Sequence, residues 1–372
     1  MKKILIIPHH PGLEKIKIRL IEIAKALSQD YEVYLVNWTV AQETHSIWER
    51  ITSALKDAFA TAKSYKKDNI NVIEFPILHR PLKLAAFLNS HWLKKAISSV
   101  KPDILINGSF YMFNINKKRD FKYIFDVADL PVEETNNYFD RFVYKQTAEE
   151  IKKADIVTVC SGGLKNYVRD RFSKEAIFVP NGAEIERLRL VNDAEVEKIR
   201  QEHNLFGKWV IGYIGHIGEW VNVDLAVEAF HQIESEMPDA VLLWVGLSGN
   251  IHDLRKKYAK ENIIFTGGVY DVDPYFKLLN LGLLPHRKCL FQDMAFHIKL
   301  IEYTAVRKFV VCTPLREMTS LNLPNVIFAD ESARTWAQAI IKARALVWQK
   351  DWDSSVEEFD WKNIVQKVKN LI

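Results

Sequence analysis

The side chains best suited to bind a ligand lie in residues 296–314, FHIKLIEYTAVRKFVVCTP, which read as a short loop, an amphipathic helix and an apolar strand. Lys299 and Glu302 are three residues apart, so the first helical turn places them on one face. A cation there suits a phosphate, and a carboxylate suits a sugar hydroxyl. The N–H groups and the positive dipole end of the helix add a second anion site. The alternative for any Lys-x-x-Glu spacing is a surface ion pair.

A glycine and two carboxylates in the first half of the chain are further candidates, because each follows an apolar segment. Gly12, in HHPGLEK, lets backbone approach a phosphate closely, although an ordinary turn also uses glycine. Asp126 and Asp129, in DVADLP, are three residues apart, and paired carboxylates can orient a hydroxyl or act as a base. A helix cap and a turn aspartate are the alternative roles for these two residues.

Short apolar segments that alternate with amphipathic stretches must position these candidates. Such segments, buried on both faces, predict parallel sheets that helices cover on two sides. Ligands of open parallel sheets bind beyond the carboxyl ends of the strands, where the candidates fall. The predicted strands are 3–8, 31–36, 71–75, 103–107, 122–127, 155–160 and 176–180 in the first half, and 209–215, 240–246, 262–267, 281–285, 308–312 and 325–329 in the second.

Length and composition favour a soluble protein of two domains. A chain of 372 residues is too long for a single core, and none of its apolar runs approaches the roughly 20 residues of a membrane span. Three distant cysteines (Cys160, Cys289 and Cys312) without metal-ligand spacing favour a reducing cytoplasm. Residues 1–183 contain 28 Lys and Arg against 21 Asp and Glu, whereas the remainder contains 23 against 26. The basic first half predicts an anionic partner.

Residues 299–311, KLIEYTAVRKFVV, resemble the donor-nucleotide helix of GT-B glycosyltransferases, particularly of the GT4-like family, whose usual form is K-L-x-E-Y-x-A-x-G-K-P-V-V. VPNG at 179–182 and GYIGHIGEW at 212–220 are similar to two further elements of that family. The resemblance implies an α/β protein with the GT-B fold, in which two Rossmann-like domains have parallel sheets facing a central cleft.

The same resemblance implies a division of the chain. We expect an acceptor-side domain at 1–183, a linker at 184–207 and a nucleotide-sugar-binding domain at 208–355. A helix within 356–372 would then be able to cross back to the first domain.

The resemblance also implies roles for individual residues. Glu302 matches the glutamate that binds the nucleotide ribose, Lys299 is expected to face the diphosphate, and Asp126 to face the acceptor, so these three are the predicted catalytic residues. Further substrate-binding residues are predicted to be Gly12, Asp129, Gly215, His216, Arg287, Phe296, His297 and Ile298.

Three positions depart from the family pattern. The first glutamate of its E-x7-E motif is replaced by Met294, and the arginine that usually follows the second glycine is His216. The lysine that usually follows a few residues later is replaced by an uncharged stretch around Val221 and Asn222. We therefore expect Lys299 and Arg287 to supply the missing positive charge. Backbone N–H groups of residues 296–298 would replace part of the missing sugar contacts.

The predicted function is transfer of a sugar from a nucleotide-sugar donor to an acceptor hydroxyl, with retention of anomeric configuration, in bacterial polysaccharide, lipopolysaccharide or glycolipid synthesis. The acceptor would be a saccharide or a lipid-linked saccharide. No resident cofactor or metal is expected, and no nucleic-acid partner. A sugar-nucleotide epimerase or phosphorolytic enzyme on the same fold, and a catalytically silent scaffold, are the alternatives.

Residues 79–101 form a basic amphipathic stretch that can lie on an anionic membrane surface. The alternative is a helix packed on the sheet with solvated lysines. We expect a cytoplasmic protein, for which peripheral attachment to the inner face of the membrane stays open. The side chains on which this hypothesis depends are Leu84, Phe87 and Trp92 with Lys83, Lys94 and Lys95.

Overall fold

The computed structural model describes residues 1–9, 18–40, 62–77, 82–109, 115–129 and 138–372. The chain forms two compact units, one from Met1–Asn181 with Trp361–Ile372 and the other from Gly182–Asp360. Each unit contains one sheet whose strands are joined mainly through helices. The predicted α/β class with parallel sheets is confirmed.

Eight strands form the sheet of the first unit. They are β1 (Lys3–Ile7), β2 (Glu32–Val40), β3 (Lys63–Lys67), β4 (Ile70–Ile77), β5 (Ile104–Asn107), β6 (Lys122–Val127), β7 (Ile156–Val159) and β8 (Ala176–Phe178). Their order is β3-β4-β2-β1-β5-β6-β7-β8, and only β3 runs antiparallel to its neighbour. The seven parallel strands coincide with the seven apolar segments predicted for the first half.

The strand β3 was not predicted, because its sequence KSYKK is polar and lysine-rich. It lies at the edge of the sheet, where lysines expose their charge and discourage pairing with another chain. The turn into β4 places Asp68 and Asn69 at φ of 46° and 64°, as a tight hairpin requires. Short polar residues adopt this left-handed backbone more readily than branched ones.

The helices of the first unit are α1 (Arg19–Leu27), α2 (Leu82–Val100), α3 (Tyr138–Lys153), α4 (Gly162–Phe172) and, at the end of the chain, α14 (Trp361–Lys369). The apolar stripe of α1 faces the sheet, and Ile364, Val365 and Val368 of α14 join the same hydrophobic core. The last carbonyls are held as well, since Lys122 Nζ donates to the Leu371 carbonyl at 2.6 Å. The final helix therefore completes the first unit.

Six parallel strands form the sheet of the second unit, and all six were predicted. They are β9 (Trp209–Ile214), β10 (Ala240–Val245), β11 (Ile263–Gly267), β12 (Leu281–Leu284), β13 (Phe309–Cys312) and β14 (Val326–Phe328). Their order is β11-β10-β9-β12-β13-β14. This order changes direction at β9, and a ligand site is expected beside such a switch point.

The helices of the second unit are α5 (Ile185–Arg189), α6 (Asp193–Glu202), α7 (Val223–Ile233), α8 (Ile251–Tyr258), α9 (Asp273–Leu278), α10 (Leu290–Met294), α11 (Ile298–Ala305), α12 (Arg316–Ser320) and α13 (Ala333–Arg344), with a 3-10 segment at Lys350–Phe359. Residues 184–207, predicted as a linker, contain α5 and α6 and belong to this unit.

Candidate functional site

Lys299 and Glu302 meet in the first turn of α11. Lys299 Nζ donates a 2.7 Å hydrogen bond to Glu302 Oε2, and the same ammonium lies 5.1 Å from the ring centroid of the buried Phe276. The lysine side chain is 27% exposed and the glutamate side chain 14%, so the pair is more sheltered than an ordinary surface ion pair. An ammonium has three donors and a carboxylate has two oxygens, so the pair keeps capacity for a ligand.

Tyr303 anchors α11 to the sheet. Its buried hydroxyl accepts a 3.0 Å hydrogen bond from the Ile214 amide and donates to the Gly212 carbonyl at 3.3 Å. A Cβ at Gly282 would lie 2.9 Å from the Tyr303 ring, so the strand needs a glycine there. Burial raises the pKa of Tyr303 well above its usual value, which keeps the phenol protonated. The helix that carries Lys299 is thereby fixed against β9 and β12.

Two glycines bring the ends of β9 and β10 close together. Gly215 and Gly246 adopt φ of 150° and 143°, in the region that favours glycine, and a Cβ on Gly246 would lie 1.9 Å from the Gly215 carbonyl oxygen. The Gly215 amide donates to the Val245 carbonyl at 2.9 Å. The next residue, His216, has an exposed side chain, and its carbonyl accepts a hydrogen bond from Tyr213.

The exposed loop after β9, which carries His216, contacts Arg287 in the loop after β12. The His216 imidazole lies 5.5 Å from the ring of Trp220, which is 40% exposed. The Arg287 amide donates to the Trp220 carbonyl at 2.8 Å, and its Nε donates to the Glu219 carbonyl at 3.2 Å. Because β9 and β12 are neighbours, this cluster lies at the carboxyl edge of the sheet. The structure therefore brings together the predicted residues Gly215, His216 and Arg287.

One of the backbone N–H groups at the start of α11 already forms a hydrogen bond within the protein. The Ile298 amide donates to the Phe296 carbonyl at 3.1 Å, so it is not the open donor that the sequence predicts. The Phe296 side chain is buried and its ring lies 5.8 Å from that of Phe359. Phe296 thus contributes packing to the start of the helix.

His297 and His286 form a buried imidazole pair beside this helix start. Their ring centroids lie 4.7 Å apart, and His297 Nε2 lies 3.0 Å from the Gln292 carbonyl oxygen. Burial, together with the neighbouring His297, lowers the pKa of His286 to about 3. Burial also lowers the pKa of His297 to about 4. Both imidazoles are therefore neutral near pH 7 and supply polarity without charge.

Asp126 lies at the end of β6 and is buried in contacts with protein groups. Arg19 Nε and Nη2 donate to its two oxygens at 3.0 and 3.1 Å, and Thr158 Oγ1 donates to Oδ1 at 2.6 Å. Arg19 also donates to the Pro180 carbonyl at 2.6 Å. Only 3% of Asp126 is exposed. These contacts do not support the predicted contact with an acceptor, and favour a role in holding the strand end.

Asp129 is the more accessible of the two predicted carboxylates. It is half-buried, and burial raises its pKa to about 6. A carboxylate tuned toward neutral pH at the end of a strand is a candidate for proton transfer or hydroxyl binding. The third candidate of this unit, Gly12, lies outside the described residues.

The amphipathic stretch forms α2, but Trp92 does not face solvent as the membrane hypothesis requires. Trp92 is 6% exposed, and its ring stacks on Phe75 with centroids 5.4 Å apart, because it fills the space between the helix and β4. Lys95 Nζ lies 5.2 Å from the centroid of the Trp92 ring, whereas Phe87 is 70% exposed. The side chains of residues 83 and 84 lie outside the described ones.

Three residues with a clear structural role were not predicted. Arg19 is a single cation in the apolar stripe of α1, Tyr303 is the aromatic residue of the helix motif, and Gly246 ends an apolar strand. The unusual charge in an apolar stripe was the available signal for Arg19. Across the described residues, His, Cys, Asp and Glu form no group of three able to hold a metal ion, and no helix there is long and apolar enough to span a membrane.

Part of the second unit is similar to a known protein family. Residues 208–345 match the family described as Glycosyl transferases group 1. A relative from Bacillus subtilis (strain 168), named as the teichuronic acid biosynthesis glycosyltransferase TuaH, is 29% identical over 217 residues. That alignment covers 55% of this chain and 53% of TuaH, so the match spans about half the length of the relative.

Solved structures resemble the chain over nearly its whole length. Sucrose-phosphate synthase from Thermosynechococcus elongatus superimposes with a TM-score of 0.74 at 15% identity, covering 100% of this chain and 98% of that one. Anabaena HepE in complex with UDP-glucose gives a TM-score of 0.67 at 16% identity, covering 100% and 99%. The protein therefore has the GT-B fold of two Rossmann-like units. Residues 208–345 are similar to the group 1 glycosyltransferases, in agreement with the predicted GT4-like family.

Proposed function

We propose that this protein is a glycosyltransferase that moves a sugar from a nucleotide donor to an acceptor hydroxyl. The main support is that the family match at 208–345 includes both the Lys299–Glu302 pair and the loop that carries Gly215 and His216. Both features lie at the carboxyl edge of the second unit's sheet, where ligands of parallel sheets bind.

The donor would bind through complementary charge at the start of α11. The Glu302 oxygen that Lys299 does not contact is suited to accept hydrogen bonds from ribose hydroxyls, and the remaining Lys299 donors are suited to the diphosphate. Their 2.7 Å pairing keeps both side chains in place before the ligand arrives. Arg287 and His216, on the neighbouring loop, would add polar contacts without replacing the usual family arginine.

In the proposed reaction the acceptor oxygen forms a bond to the anomeric carbon as the bond from that carbon to the diphosphate breaks. The acceptor proton passes to a phosphate oxygen of the leaving group on the same face, which retains the configuration. Negative charge grows on the diphosphate, so the Lys299 ammonium and the N-terminal end of α11 would contribute most. No resident metal is required by this scheme.

UDP-sugars are the first donors to test, because the Anabaena relative was solved with UDP-glucose. We would measure the melting temperature of the full chain with UDP, GDP, dTDP, ADP and CMP over a concentration series. A specific nucleotide raises it progressively with concentration. Glu302→Gln should remove most of that rise. The donor-site proposal fails if no nucleotide stabilises the protein at millimolar concentration.

For the acceptor we propose a bacterial cell-envelope saccharide or lipid-linked saccharide, supported by the teichuronic acid assignment in the name of TuaH. Peripheral attachment to an anionic membrane would involve the exposed face of α2, where Phe87, His91 and Lys95 share one side. Co-sedimentation with anionic vesicles tests this: Phe87→Ser should weaken binding at every salt concentration, and unchanged binding would exclude that face.

A further inference from the structure

A cavity of about 750 Å³ lies in the first unit at the amino edge of its sheet. It is bounded by the last turns of α2 and by residues immediately before β5 and β6. Asp126 lies near the carboxyl end of β6, and Asp129 follows that end, whereas the cavity lies at the amino end of the same strand. At about 3.3 Å per residue, five or more residues separate the two places by about 15–20 Å. The cavity is therefore distinct from the carboxyl edge at which a transferase acceptor would bind.

The wall of this cavity, here called the α2 cavity, is aliphatic and aromatic. Leu93 and Ile97 come from α2, Ile115 and Phe121 from the connection before β6, and Pro102 from the turn before β5. Described residues 115–121 of that connection contain no helix. Parallel strands are usually joined through a helix. Because residues 115–121 form none, space is left beside α2.

Arg119 makes one side of the cavity rigid. Its guanidinium donates to Asp155 Oδ1 at 2.7 Å and to the Lys153 carbonyl at 3.0 Å, and it also donates to the carbonyls of Asn116 and Lys117 at 3.1 Å. Only 6% of the arginine side chain is exposed. Its buried Nε has no hydrogen-bond partner among the described residues. The loop is thus held in place without a ligand, and one buried donor remains unused.

Three exposed lysines surround the opening: Lys94, Lys101 and Lys118. None of the three ammonium groups forms an ion pair or hydrogen bond within the described part of the chain. Lys101 is held at φ of 49°, just after the end of α2. Asp103 and Asp120 also line the cavity, and Asp103 already accepts a 2.7 Å hydrogen bond from the Lys3 amide. Cations therefore predominate at the opening.

From this arrangement we propose that the α2 cavity binds a phosphate monoester that carries an aliphatic group. The lysine ammonium groups would hold the phosphate dianion at the opening, and the aliphatic group would cover Leu93, Ile97 and Phe121. Lysine suits a phosphate as a mobile point charge. A cavity that combines an apolar wall with a few polar groups is a typical small-molecule site. A lipid phosphate and a soluble phosphate ester share this chemistry.

Calorimetric titration of the full chain with hexyl phosphate, glucose 1-phosphate, inorganic phosphate and hexanol distinguishes a lipid phosphate from a soluble phosphate ester. Hexyl phosphate should bind at least about 10-fold more tightly than glucose 1-phosphate or inorganic phosphate, because only the hexyl chain covers the apolar wall and removes it from water. Hexanol should bind weakly, since it brings no charge. Equal affinity for hexyl phosphate and inorganic phosphate would overturn the aliphatic part of the proposal, and tighter binding of glucose 1-phosphate would assign the cavity to soluble sugar phosphates instead.

The lysines are tested by changing Lys94, Lys101 and Lys118 together to Gln. The matched control changes Lys63, Lys66 and Lys165 to Gln, since these are exposed lysines of the same unit with no side-chain partner in the described chain. The first variant should lose hexyl phosphate affinity by at least about 10-fold, and the control should keep it. Equal losses would mean non-specific charge attraction and would reject the site.

Nucleotide binding by the second unit provides an independent readout. Both triple variants should retain the melting-temperature rise produced by the nucleotide, since none of the six lysines belongs to Gly182–Asp360. A change of Ile97 to Ser should lower affinity for hexyl phosphate while leaving inorganic phosphate unaffected. If hexyl phosphate binds equally to all variants, or to none including the unaltered chain, the α2 cavity is not the site.

Discussion

Arg19 and Asp126 are joined by two hydrogen bonds of 3.0 and 3.1 Å, although 107 residues separate them in the chain. The pair is almost completely buried, with 4% and 2% of the side chains exposed. Arg19 also reaches the carbonyl of Pro180, at the end of the first segment of this unit. One ion pair therefore connects α1, the end of β6 and the chain beyond β8.

The Asp126→Asn variant should be less stable than the unaltered protein. It leaves the buried Arg19 guanidinium without an anion, and breaking one side of a buried pair lowers the free energy of unfolding by about 3–5 kcal/mol. Urea denaturation followed by circular dichroism measures the change. Asp170→Asn is the control, because Asp170 forms an exposed pair with Arg169 and should change stability little.

This variant also distinguishes the structural role of Asp126 from contact with an acceptor. Donor-nucleotide affinity and transfer should be normal at temperatures where Asp126→Asn stays folded. Normal stability combined with strongly reduced transfer would instead return Asp126 to the acceptor site.

Glu302→Gln should weaken donor-nucleotide binding. The amide keeps the size of the side chain but loses charge-assisted hydrogen bonding to the ribose. The binding free energy should weaken by about 1.5–3 kcal/mol, which corresponds to about 10- to 150-fold in affinity. Calorimetric titration with the preferred nucleotide measures this. Glu228→Gln, an exposed position on α7, is the control. Unaltered affinity in Glu302→Gln would remove Glu302 from the site.

Lys299→Ala should reduce turnover more than it reduces stability or nucleotide affinity. Charge on the diphosphate increases as the sugar departs, so a cation beside it stabilises the transition state more than the bound donor. Single-turnover rates at saturating donor isolate that step. A near-normal rate would leave Lys299 only as the ion-pair partner of Glu302.

Tyr303→Phe should lower the free energy of unfolding by about 1–3 kcal/mol, because the buried Ile214 amide loses its acceptor. Donor affinity should fall as well, since α11 carries Lys299 and Glu302. Gly282→Ala is a second test from the opposite side, as its Cβ would press on the Tyr303 ring. Unaltered stability and donor affinity in Tyr303→Phe would show that the hydroxyl does not hold the helix in place.

Local sequence patterns were sufficient for most strands but not for the partners of the site residues. Apolar segments such as those of β1 and β9 are recognisable because burial on both faces requires them. The polar edge strand β3 has no such requirement, so it was missed. The partner of Asp126 could not be predicted, because the contact with Arg19 depends on how α1 crosses the sheet. For the same reason the sequence did not indicate that Trp92 stacks on Phe75.

The buried pair His286 and His297 should make stability depend on pH below neutrality. Their pKa values are lowered to about 3 and about 4 in the folded protein, whereas an unfolded histidine titrates near 6.5. Between these values the unfolded chain binds more protons, so the free energy of unfolding rises with pH. The contribution is complete above about pH 6.5 and is lost progressively as the pH falls toward 4 and then 3, by up to about 1.4 kcal/mol per unit for each histidine.

Urea denaturation at pH 7.0 and pH 5.5 measures this effect. The unaltered protein should lose stability at pH 5.5, and His297→Gln should lose less, because it has one fewer buried group to keep unprotonated. The exposed His252 provides the control, and His252→Gln should follow the unaltered protein at both pH values. An identical loss in all three proteins would show that the acid sensitivity comes from the carboxylates, and that the two imidazoles are solvated in the folded state.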